Sequence, residues 1–192
     1  SKKEIKAPTY QYAFYQFDID NLGKWMAGEF FENKKKLKEE QQNLSKLLVN
    51  FAVKLKLVLK EKLRENVSVI YLGGDDFLGV MPIENIKETW KIVDDVFKDE
   101  VVNKIENNKS IMTYSTSITI TSCSDPMAYA LNVTRKELER VKDRYKEPYN
   151  DNIHSKNGVA INYLINAGKE ITAYFRKEDF NEFLNVLEIL KP

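Results

Sequence analysis

The chain reads as an alternation of apolar runs with two kinds of period. "YQYAFYQFDID" (10–20) is apolar on both faces until the acids arrive, the pattern of a buried central strand ending at Asp18. "NLGKWMAGEFF" then opens a short helix with Asn21 as N-cap. Over 37–65, Leu44, Leu47, Leu48, Phe51, Leu55, Val58 and Leu59 follow the i, i+3, i+4 rule and predict a long amphipathic helix. "NVSVIYL" (66–72) and "FLGVMP" (77–82) are strands by β-branched content, joined by "GGDD" as a hairpin turn. Residues 83–106 carry a helical stripe (Ile86, Trp90, Val93, Phe97), and "IMTYSTSITITS" (111–122) is a strand. Asp125 caps a helix running to about Tyr145, with Pro126 at its first position. A loop (147–158), the strand "GVAINYLI" and a final helix at about 176–190, on Phe180, Phe183, Leu184, Leu187 and Leu190, complete the chain.

Strand, crossover helix, hairpin, second crossover and further strand is the ferredoxin-like order, an α+β fold. The expectation is one domain over 1–192, its antiparallel-rich sheet covered by helices on one face. This topology sets the end of the first strand beside the hairpin tip. Asp18 then meets Asp75 and Asp76 at one sheet edge.

"YLGGDDFLG" (71–79) can be an ordinary hairpin turn, since glycine and Asp suit tight turns. Converging carboxylates argue for more. Like charges at about 4 Å repel by roughly 1–4 kcal/mol per pair, and a divalent cation removes that cost. Such a centre suits two-metal nucleotidyl transfer. Gly73 and Gly74 would leave a flat backbone surface for a nucleotide.

Composition narrows the chemistry. With 43% apolar and 31% charged residues the chain is a folded globule, and 30 basic against 29 acidic residues give no field for nucleic acid. The Lys-rich stretches 34–38 and 54–64 read as solvated helix faces. Cys123 and His154 are each alone in the sequence, so a metal would be held by oxygen, favouring Mg²⁺, Mn²⁺ or Ca²⁺. His154 lies in a polar loop and reads as solvated, and Cys123 as a half-buried strand-end thiol. With neither a leader-like segment nor an apolar run of about 18 residues, the expected location is the cytoplasm. Trp25 and Met26 read as core, and Lys24 reads equally as a phosphate contact or as a surface lysine.

"FDIDNLGKWMAGEFF" with "YLGGDDFLGVMP" resembles the catalytic palm of the type III CRISPR effector large subunit, and "SIMTYSTSITIT" followed by "DPMAYALNVTRKELERVKDRY" extends the likeness over about residues 12–165. The chain also resembles, more distantly, the GGDEF diguanylate cyclases, but Asp20 lacks their Asn-Asp-X-X-Gly-His continuation. The resemblance implies an ATP-dependent cyclase making cyclic oligoadenylates or a cyclic dinucleotide in anti-phage defence. It implies Asp18, Asp75 and Asp76 as metal ligands, with the Ile19 carbonyl completing the shell. It further implies Lys142 on the triphosphate and Asn21, Ser115 and Ser117 on base or ribose. At this length the chain is more similar to the stand-alone minimal CRISPR polymerases. One palm holds one nucleotide, so a homodimer or a second palm is implied. The other readings are an ATP-binding palm silent alone within an RNA-guided complex, and a polymerase making linear oligonucleotides.

Overall fold

The computed structural model describes residues 10–31, 36–105, 111–147, 155–165 and 169–189. Its strands are β1 (Gln11–Ile19), β2 (Ser68–Leu72), β3 (Asp76–Pro82), β4 (Tyr114–Ser122), β5 (Gly158–Ile165) and β6 (Lys169–Arg176). Its helices are α1 (Leu22–Met26), α2 (Leu37–Leu63), α3 (Ile86–Glu100), α4 (Met127–Arg144) and α5 (Lys177–Ile189). The six strands form one sheet in the order β2-β3-β1-β4-β5-β6. β1 is antiparallel to both β3 and β4, so β2-β3-β1-β4 is the expected ferredoxin-like unit. β5 adds parallel to β4 through the α4 crossover, and β6 returns antiparallel.

β6 has no counterpart in the sequence reading, which placed nothing between the strand at 158–165 and the terminal helix. "KEITAYFR" carries the needed β-branched and aromatic residues, but none of its positions is fully buried, so its apolar signal is weak. Phe175 from this strand meets Phe180 and Phe183 of α5, with ring centroids 5.7 and 5.1 Å away. The side chains of Leu187 and Leu190, and His154, lie outside the described residues.

Helices cover both faces of the sheet, not one. Alternate β1 residues Ala13, Tyr15 and Phe17 join Phe51 and Leu55 of α2, Trp90 and Phe97 of α3, and Phe180 of α5 in the main core. The opposite parity, led by Phe14, packs with Leu78, Leu164 and the α4 residues Ala130 and Val133. Leu138 and Val141 of α4 continue this layer onto Ala160. The alternation of Ser and Thr with Ile and Tyr in β4 is what a sheet with one wet face would show. Instead Ser115, Ser117, Thr119 and Thr121 are all buried on the α4 side. The start of α4 also differs from expectation. Asp125 does not cap it; its carboxylate accepts from Ser122 N and Thr121 Oγ1, both at 3.0 Å, and closes the preceding turn. Pro126 occupies the N-cap position.

One aromatic contact fixes the register that matters most. Phe17 stacks on Phe77 at 5.4 Å between centroids and leans on Tyr114 at 5.3 Å and Phe51 at 5.9 Å. A one-residue slip of β1 would turn this ring out of the core, so the adjacent Asp18 is held opposite Asp76. Among the described residues no helix is long and apolar enough to cross a membrane.

α2 also presses on the hairpin tip. A Cβ added to Gly74 would lie 3.0 Å from Leu48 Cβ. Gly74→Ala is expected to cost about 1–3 kcal/mol through this overpacking, read by urea denaturation.

Candidate active site

β1 and the β2–β3 hairpin bring the acids together as the topology required. Asp18 pairs with Asp76 across β1–β3 and with Ser115 across β1–β4. Main-chain bonds clip the tip to β1: Ile19 N donates to Asp75 O, and Gly73 N to Asp76 O, both at 2.9 Å. The side chain of Ile19 is buried in the core, so only its main chain faces this edge.

The two glycines have a different reason from the expected one. Among the described residues Gly28 is the glycine with positive φ, so neither Gly73 nor Gly74 is needed for left-handed backbone. They are needed for space. A Cβ on Gly73 would sit 2.6 Å from Asp76 Oδ1 and 2.8 Å from the Tyr71 hydroxyl, and Gly74 abuts α2. The open floor expected at the turn is therefore filled by the protein's own side chains, and the Gly73 N–H is already bonded.

Asp76 is electrostatically unfavourable where it stands. Its Oδ1 is buried and has no donor. Burial, then the charges of Asp75 and Asp18, push its carboxyl above the ordinary range, and a hydrogen bond from Tyr71 only partly opposes them. Asp18 has found a counterion: Lys142 Nζ, from the last turn of α4, lies 2.6 Å from its Oδ2. Burial would lower the Lys142 ammonium, but the hydrogen bond and charge of Asp18 outweigh it and raise it. Lys142 is thus at the site through Asp18. No group of three or more Asp, Glu, His or Cys side chains is assembled to hold a metal ion among the described residues.

The remaining expected residues divide. Ser115 and Ser117 are fully buried and spent on internal bonds, so the structure gives them no surface for a base or ribose. Ser115 Oγ donates to Asp20 Oδ1 at 2.8 Å and accepts from Gly158 N at 3.3 Å. Ser117 Oγ accepts from Asn162 Nδ2 at 3.1 Å. Asn21 holds the N-cap position of α1 in left-handed conformation, φ 57°, and no side-chain bond caps the helix. Its carbonyl accepts from Lys24 N and Trp25 N. Lys24 is exposed and Trp25 buried against Phe30 and Phe31, the latter as expected. Cys123 is exposed rather than half-buried.

Two residues escaped the sequence reading. Asp20 is 1% exposed and accepts from Thr113 Oγ1 (2.8 Å), Ser115 Oγ (2.8 Å) and Asn157 N (3.0 Å). Burial raises its carboxyl, and these bonds pull the other way. It knots the end of β1 to the starts of β4 and β5, and the Asp-X-Asp spacing was the available signal. Asp20→Ala leaves three donors unanswered, and a loss of about 3 kcal/mol or more is expected in chemical denaturation. The second is Tyr71, half exposed, with its hydroxyl over Gly73 beside Asp76.

Comparison with known proteins agrees with this fold. Residues 11–151 match the family model for Cas10/Cmr2, second palm domain. No curated protein matches the chain. Among solved structures, the apo Csm1–Csm4 cassette superposes with a TM-score of 0.63 at 17% identity, covering 91% of this chain and 24% of that one. The same cassette in complex with cA4 gives 0.62 at 16% identity with equal coverage, 91% and 24%. In complex with AMPPNP it gives 0.59 at 15% identity, again covering 91% and 24%. These likenesses show the fold, and the chain spans about a quarter of the chains it matches. With the family model spanning β1 through α4, the chain belongs to the Cas10/Cmr2 second palm domain family of CRISPR effectors.

Proposed function

We propose that this palm is a Mg²⁺- or Mn²⁺-dependent nucleotidyltransferase that joins ATP into cyclic oligoadenylate or cyclic di-adenylate messengers in CRISPR-type defence. The observation that carries the reading is the facing pair Asp18–Asp76, with Asp75 adjacent and Lys142 on Asp18. Solved relatives of the same fold hold cA4, ATP and AMPPNP, which supports nucleotide as the substrate class.

No cluster of three acids is pre-assembled among the described residues, but the oxygen donors of Asp18, Asp75 and Asp76 are of the kind a hard divalent cation takes, one that keeps waters and completes its shell with substrate phosphate. Asp76 Oδ1 is buried without a partner, and its neighbours in charge are two further carboxylates. Asp76, Asp75 and Asp18 would hold the ion, with the Ile19 carbonyl as a main-chain donor. A bound divalent ion would supply activation of a 3′-hydroxyl and stabilisation of the leaving pyrophosphate. Tyr71 orients the Asp76 carboxylate, and Asp20 anchors the strand end that carries Asp18. Lys142 binds the triphosphate, and Lys24 is a second phosphate cation. Two nucleotides must meet for a bond to form, so a second palm, from a homodimer or a longer effector, faces this one.

The test is mass spectrometry of products formed from mixed nucleoside triphosphates with Mg²⁺, at high protein concentration. Cyclic adenylates with released pyrophosphate are the expected products. Linear oligonucleotides would indicate a polymerase instead. Nucleotide binding without any product would favour an ATP-binding palm that is silent outside a larger complex.

A further inference from the structure

The Lys142–Asp18 pair bears on how the site can be filled. Asp18 faces Asp76 across β1–β3, so any cation shared by these acids must use the Asp18 carboxylate. That carboxylate already carries a cation. Lys142 Nζ is 2.6 Å from Asp18 Oδ2, and its side chain is only 14% exposed against 34% for Asp18. Its other acidic contact, Glu139 at 3.7 Å, lies on a side chain 75% exposed and is a weak alternative. A free divalent ion arriving at Asp18 meets an ammonium already there. It must either displace it, leaving a half-buried lysine beside a new positive charge, or bind without Asp18. A free polyphosphate meets the opposite obstacle: its lysine is held, and three carboxylates face it.

Both obstacles vanish together when metal and polyphosphate arrive as one chelate. Asp18 would then hold the ion, and the Lys142 ammonium it releases would pair with the phosphates.

We propose that Lys142 is a stand-in cation that makes this site selective for a metal–polyphosphate chelate over either component alone. The coupling is reciprocal by linkage: what strengthens the metal in the presence of phosphate strengthens phosphate in the presence of metal to the same degree. This rests on the nucleotidyltransferase reading and adds to it a role for Lys142 before any chemistry, as a guard against futile metal loading.

Two binding measurements test it without reading catalysis. In the first, Mn²⁺ is titrated without nucleotide and free Mn²⁺ followed by electron paramagnetic resonance. Lys142→Met and Lys142→Gln should each bind Mn²⁺ about tenfold more tightly than wild type. Lys142→Arg, which keeps the charge, should stay near wild type, and Asp18→Asn added to Lys142→Met should cancel the gain. In the second, ATP is titrated in EDTA. Asp18→Asn should bind metal-free ATP more tightly than wild type because Lys142 is released, and the gain should vanish with Lys142→Met added. Thermal melts of the same samples establish that each variant is folded. Mn²⁺ affinity unchanged or weakened in both neutral lysine variants overturns the proposal, as does metal-free ATP affinity unchanged in Asp18→Asn. A protein showing these shifts but forming no product refutes the enzymatic reading and keeps this one; product without the shifts does the reverse.

Discussion

Asp76→Asn is expected to abolish product formation, by about a thousandfold or more, while leaving the protein as stable as wild type or more so. The two halves come from the same cause. Asp76 sits with a buried, donorless Oδ1 among Asp75 and Asp18, and its carboxyl is held above its ordinary range by burial and by those charges. Neutralising it removes like-charge repulsion from the folded state and gives the neighbouring carboxylates an amide donor. It also removes one of the charges that the proposed metal site would use. Product mass spectrometry beside a thermal melt reads both effects at once. A variant that is inactive and also markedly less stable would mean that Asp76 is a structural residue of the hairpin. Asp75→Ala combined with Asp76→Ala should be equally inactive, but it sacrifices the stability signature because Tyr71 loses its acceptor.

The largest stability effect is expected away from the site. Lys177 at the start of α5 lies 2.5 Å from Asp94 of α3, with side-chain exposures of 12% and 10%, and Lys98 approaches the same carboxylate at 2.9 Å. The Lys177 ammonium also sits 3.8 Å from the centroid of the Tyr114 ring. Burial works against the Asp94 charge, but Lys177 and Lys98 outweigh it and hold the carboxyl below its usual range. Burial dominates for Lys177 and lowers its ammonium below the ordinary lysine range in spite of Asp94. Asp94→Ala strands that ammonium, and a loss of about 3–5 kcal/mol is expected. Adding Lys177→Met should restore much of it, a coupling that a double-mutant cycle in urea measures. The pH dependence follows from the signs. A carboxyl lowered in the folded state stabilises it above its unfolded value near 4 and loses that contribution as pH falls through the folded value. Asp94→Asn should therefore flatten the acid limb of the stability curve. The Asp94→Ala deficit should shrink at alkaline pH, where Lys177 sheds its proton ahead of an ordinary lysine.

The parts of this molecule that the sequence disclosed are those with a strong local signature. Acids that break an apolar run, at Asp18 and again at Asp75–Asp76, mark a strand end and a turn, and the ferredoxin-like order puts them side by side. The α2 stripe was legible because Leu44, Leu48, Phe51, Leu55 and Leu59 are buried at helical spacing. What stayed hidden depends on what packs against a face. The sequence does not say that α4 crosses over the face of the sheet that bears Asp18, so Lys142 carried no sign of its contact with Asp18, and Ser115 and Ser117 carried none of their burial. β6 was lost because an edge strand buries little and so shows little periodicity. Gly73 and Gly74 look like turn glycines, yet what demands them is the crowding of Tyr71, Asp76 and Leu48, which only the assembled fold reveals.

The position of β1 has a mechanical consequence. Both its edges are paired and both its faces are covered, and β3, which begins at Asp76, is likewise paired on both edges, whereas β2 is an outer strand of the sheet. The strand that carries Asp18 and the outer strand that leads into the turn therefore differ in stiffness. Amides of Tyr15 and Phe17 should be among the last to exchange with deuterium, and those of Ile70 and Tyr71 among the first. Asp18 and Asp76 are thus held together on paired strands, and the compliance of this edge lies in β2 and in the turn that leads into Asp75.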